Sequence, residues 1–157
     1  MRPRIGGGLS ALLLTAFLSG PTLAQDLVVT RGDGSEILRL PAPEGAGWCI
    51  LWNHSVQGFP VTDCYENRSG RMVLVRSRQP DFAAGLGHIH GRGRQVSDGM
   101  GGYWILDIDE AVPGDAYILR PGAGAVDHRI EIGDTIVSLS ALAPRDRVRI
   151  ALTEGNE

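Results

Sequence analysis

The chain has 157 residues, of which 43% are hydrophobic, and its 15 basic and 18 acidic residues give a net charge of −3 at pH 7. A mildly acidic chain without a basic cluster in its sequence argues against a nucleic-acid or anionic-membrane partner, because both need Lys and Arg gathered on one face. The length is that of one ordinary domain with its own core.

Residues 1–24 are typical of a secretory signal peptide. Arg2 and Arg4 precede an apolar run from Leu9 to Leu18, and a small-residue segment ends at Ala24. The run is too short to cross a hydrocarbon core of ~30 Å, which needs about 20 residues. We therefore predict cleavage after Ala24 and export to the periplasm, with no membrane span in the mature protein; an uncleaved N-terminal anchor is the alternative.

Residues 25–157 are predicted to form a single β domain. Short apolar runs alternate with Gly, Pro, Asp and Asn, and no stretch has helical periodicity. Ten short strands separated by turn residues predict an all-β fold, an antiparallel β-sandwich or small barrel. The candidate strands are 26–30, 36–41, 48–54, 61–66, 71–78, 102–108, 116–120, 128–132, 134–140 and 145–152.

The two cysteines, Cys49 and Cys64, flank a predicted hairpin. If residues 49–55 and 60–66 are its arms, the thiols lie opposite each other, since both are equally far from the loop centre. An exported protein meets an oxidising compartment, so a disulfide is favoured over two free thiols. Its expected role is in stability and not in catalysis.

The segment 79–101 contains six glycines and no clear period. A long patternless stretch inside a compact domain is typical of a functional loop or lid. It carries His88 and His90, whose spacing places two imidazoles on one side of an extended segment and allows a shared metal, with His54, His128 or Asp81 as further ligands. The alternative is a solvent-facing loop with two ordinary histidines.

Catalytic motifs are not evident, and we expect no enzymatic activity and no cofactor. His54 and Ser55 are neighbours on a strand, so their side chains point to opposite faces and are badly placed as base and nucleophile. Asp107 and Asp109 alternate with Ile, which indicates a solvated strand face more than an acid/base couple. A hydrolase that uses His54 remains an alternative function.

Several motifs resemble the family catalogued as domain of unknown function 1850. The similar segments are WCILWNHSVQGFPVTDCYENRSGRMVLVRSRQPDFAAGLG at 48–87 and YILRPGAGAVDHRIEIGDTIVSLSALAPRDRVRI at 117–150. The most specific element is His-Ser-Val at 54–56 followed by Pro60-Val61; the small-Gly-x-Gly turn at 84–87 and Leu119-Arg120 come next. Positions that match the family pattern are His54, Ser55, Gly85, Gly87 and Arg120.

Members of that family are small exported or membrane-anchored bacterial proteins, frequently encoded beside TRAP transporters of the TAXI type. The resemblance therefore implies a non-enzymatic accessory of such a transport system, which binds the TRAP transporter binding protein, the permease or a small organic anion. Arg120 would supply a bidentate charge to a carboxylate, with His54 and Ser55 beside it. A stand-alone ligand- or metal-binding module that uses the loop 79–101 is the alternative.

Overall fold

The computed structural model of the protein describes residues 24–56, 58–80 and 91–155. These residues form an all-β, sandwich-like fold in which all strand pairings are antiparallel. The strands are β1 (Gln25–Arg31), β2 (Glu36–Pro41), β3 (Gly47–Asn53), β4 (Pro60–Arg68), β5 (Arg71–Gln79), β6 (Arg94–Ser97), β7 (Tyr103–Leu106), β8 (Glu110–Ala111), β9 (Ala116–Leu119), β10 (Arg129–Ile132), β11 (Thr135–Ser138) and β12 (Val148–Glu154).

The strands divide into two sheets. Sheet A has the order β2-β1-β12-β9, and sheet B has the order β11-β10-β3-β4-β5-β7-β6, with β8 paired to β5. Along the described chain, β1 and β2 belong to sheet A, β3–β8 to sheet B, β9 to sheet A, β10 and β11 to sheet B, and β12 to sheet A. The two sheets are therefore linked by several crossings of the chain.

The core lies between the two sheets. Leu27 of β1 and Val148 of β12 come from sheet A, and Trp48 of β3 and Ile130 of β10 come from sheet B; all four are almost completely buried. Successive side chains alternate between the two faces of a strand, so the neighbours of each core residue point away from the core. Burial of apolar area from both sheets stabilises the sandwich by about 25 cal/mol per Å².

A disulfide joins β3 and β4 on sheet B, as the hairpin geometry predicted. Cys49 lies directly opposite Cys64 in the strand register, with a Cα–Cα distance of 4.0 Å. The bond closes a loop with a sequence separation of 15 residues. It ties together the two strands that lead into and out of the hairpin loop His54–Phe59.

The structure differs from the predicted strands in the Gly-rich segment and near the end of the chain. β6 lies within 79–101, where no strand was predicted. Its residues are all exposed and lack an apolar pattern, so the sequence does not indicate a strand there. Residues 134–140 were predicted as one strand, but the helical turn α1 (Leu139–Leu142) follows β11. The Ser138 hydroxyl accepts from Ala141 N–H and so caps this turn.

Among the described residues, no helix is both long and apolar enough to cross a bilayer.

The predicted strand 102–108 is also too long. β7 ends at Leu106, and Asp107 and Asp109 adopt positive φ angles of 58° and 54° on either side of the buried Ile108. Both carboxylates are exposed, and they pair with Arg94 and Arg68 respectively. The expectation that they occupy a solvated surface is met, but in a turn and not on a strand.

Candidate functional site

The hairpin loop His54–Phe59 connects β3 to β4 and carries the His-Ser pair. His54 N–H donates to the Phe59 carbonyl, and Gly58 N–H donates to the His54 carbonyl, each at 2.8 Å. Gly58 has a φ of +74°, a conformation that L side chains rarely adopt. The backbone of His54 therefore closes the loop.

The side chains of the loop separate His54 from Ser55. The His54 ring packs against Phe59 with a centroid distance of 5.0 Å, and its Nδ1 accepts weakly from Val56 N–H at 3.4 Å. Ser55 and Val56 are exposed at the tip. His54 thus shapes the loop from within, while Ser55 and Val56 face outward.

A second loop, 120–128, lies against the first. Asn53, the last residue of β3, donates its backbone N–H to the Val126 carbonyl at 2.7 Å and its side-chain amide to the Ala125 carbonyl at 3.2 Å. Arg120 opens this loop and is exposed. The hydrogen bonds of Asn53 therefore hold the segment that follows Arg120 beside the residue that precedes His54, at what we call the hairpin end of the sandwich.

His128 closes the second loop. Its Nδ1 accepts from Gly122 N–H at 3.0 Å, its backbone N–H donates to the Ser140 hydroxyl at 2.9 Å, and its ring stacks on Trp52 at 5.8 Å. Burial lowers the pKa of His128, and the nearby Asp127 carboxylate opposes that shift. The lowered pKa favours the neutral imidazole, whose Nδ1 accepts the hydrogen bond from Gly122 N–H.

A third element of the hairpin end is the turn that joins β6 to β7. The Asp98 carboxylate accepts from Met100 N–H at 2.8 Å, from Gly102 N–H at 2.9 Å and from the Arg78 guanidinium. Only 3% of the Asp98 side chain is exposed, and these hydrogen bonds, the one from Met100 above all, lower its pKa.

Arg78 also donates to the Pro60 carbonyl at 3.0 Å and so links this turn to the hairpin. A pocket of about 410 Å³ opens beside the ion pair. It is lined by Phe59, Pro60, Arg78, Pro80, Met100, Gly101 and Gly102.

The buried face of sheet B contains a polar network that the sequence did not reveal. The Ser77 hydroxyl donates to Asp63 and receives a hydrogen bond from the Gln79 amide, both at 2.6 Å. Burial raises the pKa of Asp63, although the bond from Ser77 opposes that shift. Asp63 and Ser77 are opposite each other on β4 and β5, so only the strand register brings them together.

The predicted loop and metal residues Gly85, Gly87, His88 and His90 lie outside the described residues. His54 and His128, the two histidines considered as further ligands, have the structural partners given above. Within the described ranges no three His, Cys, Asp or Glu side chains are arranged to hold a metal ion. A metal site at His88 and His90 stays a prediction.

Comparison with known proteins gives one match. The model of the family described as Domain of unknown function (DUF1850) matches residues 49–139. The matched region runs from β3 to β11, so it includes the hairpin loop, Arg120 and nearly all of sheet B, and it leaves out β1, β2 and β12. No curated protein and no solved structure matches the chain.

Proposed function

Because this chain belongs to the family described as Domain of unknown function (DUF1850), we propose that it is an exported, non-enzymatic accessory protein of a TAXI-type TRAP solute transport system. Its task would be to bind a transporter component, either the periplasmic binding protein or the permease. A small organic acid is the alternative ligand.

One observation carries the proposal. Residues that match the family pattern lie on two loops that Asn53 fastens together at the hairpin end, and two of them, Ser55 and Arg120, are exposed. Exposed residues on loops anchored to a rigid sheet are typical of recognition surfaces. An exposed loop tip suits contact with another protein better than enclosure of a small substrate, which favours concave sites.

His54 contributes to the shape of the hairpin loop. Its Nδ1 accepts weakly from Val56 N–H at 3.4 Å, and its ring packs on Phe59. His54 would thus present Ser55 and Val56 to a partner by fixing the shape of the loop.

Co-purification tests the proposal. The tagged protein is isolated from its native envelope and associated proteins are identified by mass spectrometry. We expect a TRAP permease or binding protein with the wild type, and less of it with Ser55→Arg, which places a bulky charge at the loop tip. Ser69→Arg makes the same change in the exposed β4–β5 turn at the other end of sheet B and should leave recovery unchanged.

The opposite results are equally informative. A wild-type protein that is isolated alone and monodisperse would contradict the accessory role. If that protein carried a bound organic acid, the alternative ligand would replace the transporter component. Equal recovery with Ser55→Arg and the wild type would move the contact away from the hairpin loop.

A further inference from the structure

Two exposed arginines lie at the beginning of β12. Arg149 alternates with the buried residues Val148 and Ile150, so its side chain lies on the outward face of sheet A, and Arg147 directly precedes the strand. Arg149 lies directly opposite Ile118 of β9 in the strand register. Half of the Ile118 side chain is exposed, which places an apolar group among the charges.

Arg120 extends this group across the strand pair. The last registered pair of β9 and β12 is Leu119 with Val148, and beyond it Arg145 N–H still donates to the Pro121 carbonyl at 2.8 Å. Arg120 and Arg147 are the residues between these two backbone contacts, so they lie side by side. We call Arg120, Arg147 and Arg149 the arginine patch.

The arginine patch is unpaired among the described residues. Within the described parts of the chain, none of its three side chains makes a hydrogen bond or ion pair, whereas Arg39 on the same sheet is held by Asp26 and Glu36. Asp146, next in sequence to Arg147, is engaged by Arg31 at 3.3 Å. Like charges opposite each other on a sheet are destabilising, so folding does not explain the arrangement.

We propose that the arginine patch is a docking surface for an acidic segment of a partner protein. Guanidinium groups bind carboxylates in a bidentate manner, and arginine is enriched in protein interfaces. Ile118 would add an apolar contact beside the charges. Arg120 and Arg147 are 27 residues apart in the sequence and come together where β9 ends and β12 begins.

A protein partner fits this surface better than a small molecule or a lipid bilayer. The patch is on an exposed sheet face, whereas small ligands are usually enclosed in concave sites. A bilayer rich in anionic lipid would also repel the other faces of a chain whose net charge is −3. A protein can match three charges and the adjacent Arg31–Asp146 pair without approaching the rest of the surface.

This inference deepens the proposed function, on which it rests only for the identity of the partner. The arginine patch and the hairpin loop are connected through the loop 120–128. Arg120 belongs to the family-matched region, while Arg147 and Arg149 lie beyond it. The surface therefore combines one position that the family model covers with two that it does not.

The first experiment measures binding of a fluorescent decaglutamate peptide to the purified protein at low salt, with a decaglutamine peptide as the neutral probe. We expect salt-sensitive binding of decaglutamate only, weakened about tenfold or more by the double substitution Arg120→Glu/Arg147→Glu. Two Glu substitutions of exposed arginines on sheet B, Arg94→Glu/Arg76→Glu, change the net charge equally and should preserve binding. Arg120→Gln/Arg147→Gln gives a neutral variant in case the reversal disturbs folding.

Three results would overturn the proposal. The first is that the wild type does not bind decaglutamate. The second is that the patch and control variants weaken binding equally. The third is that the protein binds phosphatidylglycerol vesicles but does not bind decaglutamate. Co-purification separates this proposal from the accessory function. Failure of the wild type to recover a transporter component would contradict the function, whereas recovery that the patch substitutions leave unchanged would contradict the docking surface.

Discussion

Arg78 and Arg120 lie toward the same end of the sandwich, yet their surroundings differ. The Arg78 side chain is 16% exposed, and it joins Asp98 and the Pro60 carbonyl. Arg120 is exposed and has no such partner among the described residues. A guanidinium whose donors are occupied maintains a turn, whereas a guanidinium with free donors remains available to another molecule. Arg78 of sheet B therefore holds the hairpin end together, whereas Arg120, which follows β9 of sheet A, would bind a partner.

The largest effect is expected from the disulfide of sheet B. Cys49→Ser/Cys64→Ser should lower the free energy of unfolding by about 3 kcal/mol, since the unfolded chain regains the entropy of a 15-residue loop. Chemical denaturation measures the loss, and the wild type in reductant should approach the same value. Decaglutamate binding should persist under native conditions. Loss of decaglutamate binding would show that the arginine patch depends on the disulfide of sheet B, and the two regions would then not be independent.

A smaller but clear loss of stability is expected for Asp98→Asn. Asn retains the Oδ1 acceptor for Met100 N–H and Gly102 N–H, but it removes the charge and replaces the Oδ2 acceptor of Arg78 with an amide that donates. The melting temperature should fall, with decaglutamate binding preserved. Asp107→Asn is the matched control, because its ion pair with Arg94 is exposed and should contribute little. Equal melting temperatures for the two variants would contradict a structural role for the Arg78–Asp98 pair.

In contrast to Asp98→Asn, a substitution in the arginine patch should weaken peptide binding without lowering stability. Arg147→Glu places a carboxylate beside Arg120, so the repulsion of like charges becomes an attraction. Stability should stay constant or increase by up to about 1 kcal/mol, while decaglutamate binding weakens. Thermal unfolding and peptide titration on the same sample check both results. A clear loss of stability would mean that Arg147 serves the fold, and the difference between the two regions would disappear.

The smallest effect is expected from the pH dependence of His128. Its pKa in the folded protein is lower than the ordinary value of 6.5, so the unfolded chain binds more protons between the two values. Its contribution to stability is complete above pH 6.5 and is lost as the pH falls through the folded pKa. Denaturation from about pH 7.5 to about pH 5 should show a shallower slope for His128→Gln than for the wild type. Parallel slopes would indicate that folding leaves the pKa of His128 unchanged.

The turn residues and strand alternation of the sequence predicted the all-β fold and the position of most strands. The symmetry of Cys49 and Cys64 about the hairpin predicted their bond, because a hairpin register follows from local spacing. β6, β8 and α1 were missed, since the exposed residues of β6 and β8 carry no apolar period and the Ser138 cap acts within one turn. Local pattern therefore gave reliable information wherever one face of a strand is buried.

The sequence by itself determined the fold class, the disulfide and the place of His54 and Ser55 at a hairpin end, because each depends on neighbours along the chain. Only the tertiary structure decided which arginines are paired. Arg78 pairs with Asp98 of the β6–β7 turn, and Arg120 lies beside Arg147 where β9 ends and β12 begins. The alternation Arg145-x-Arg147-x-Arg149 was the one available signal for the arginine patch. Strand order and register determine such long-range contacts, and they come from packing of the whole core.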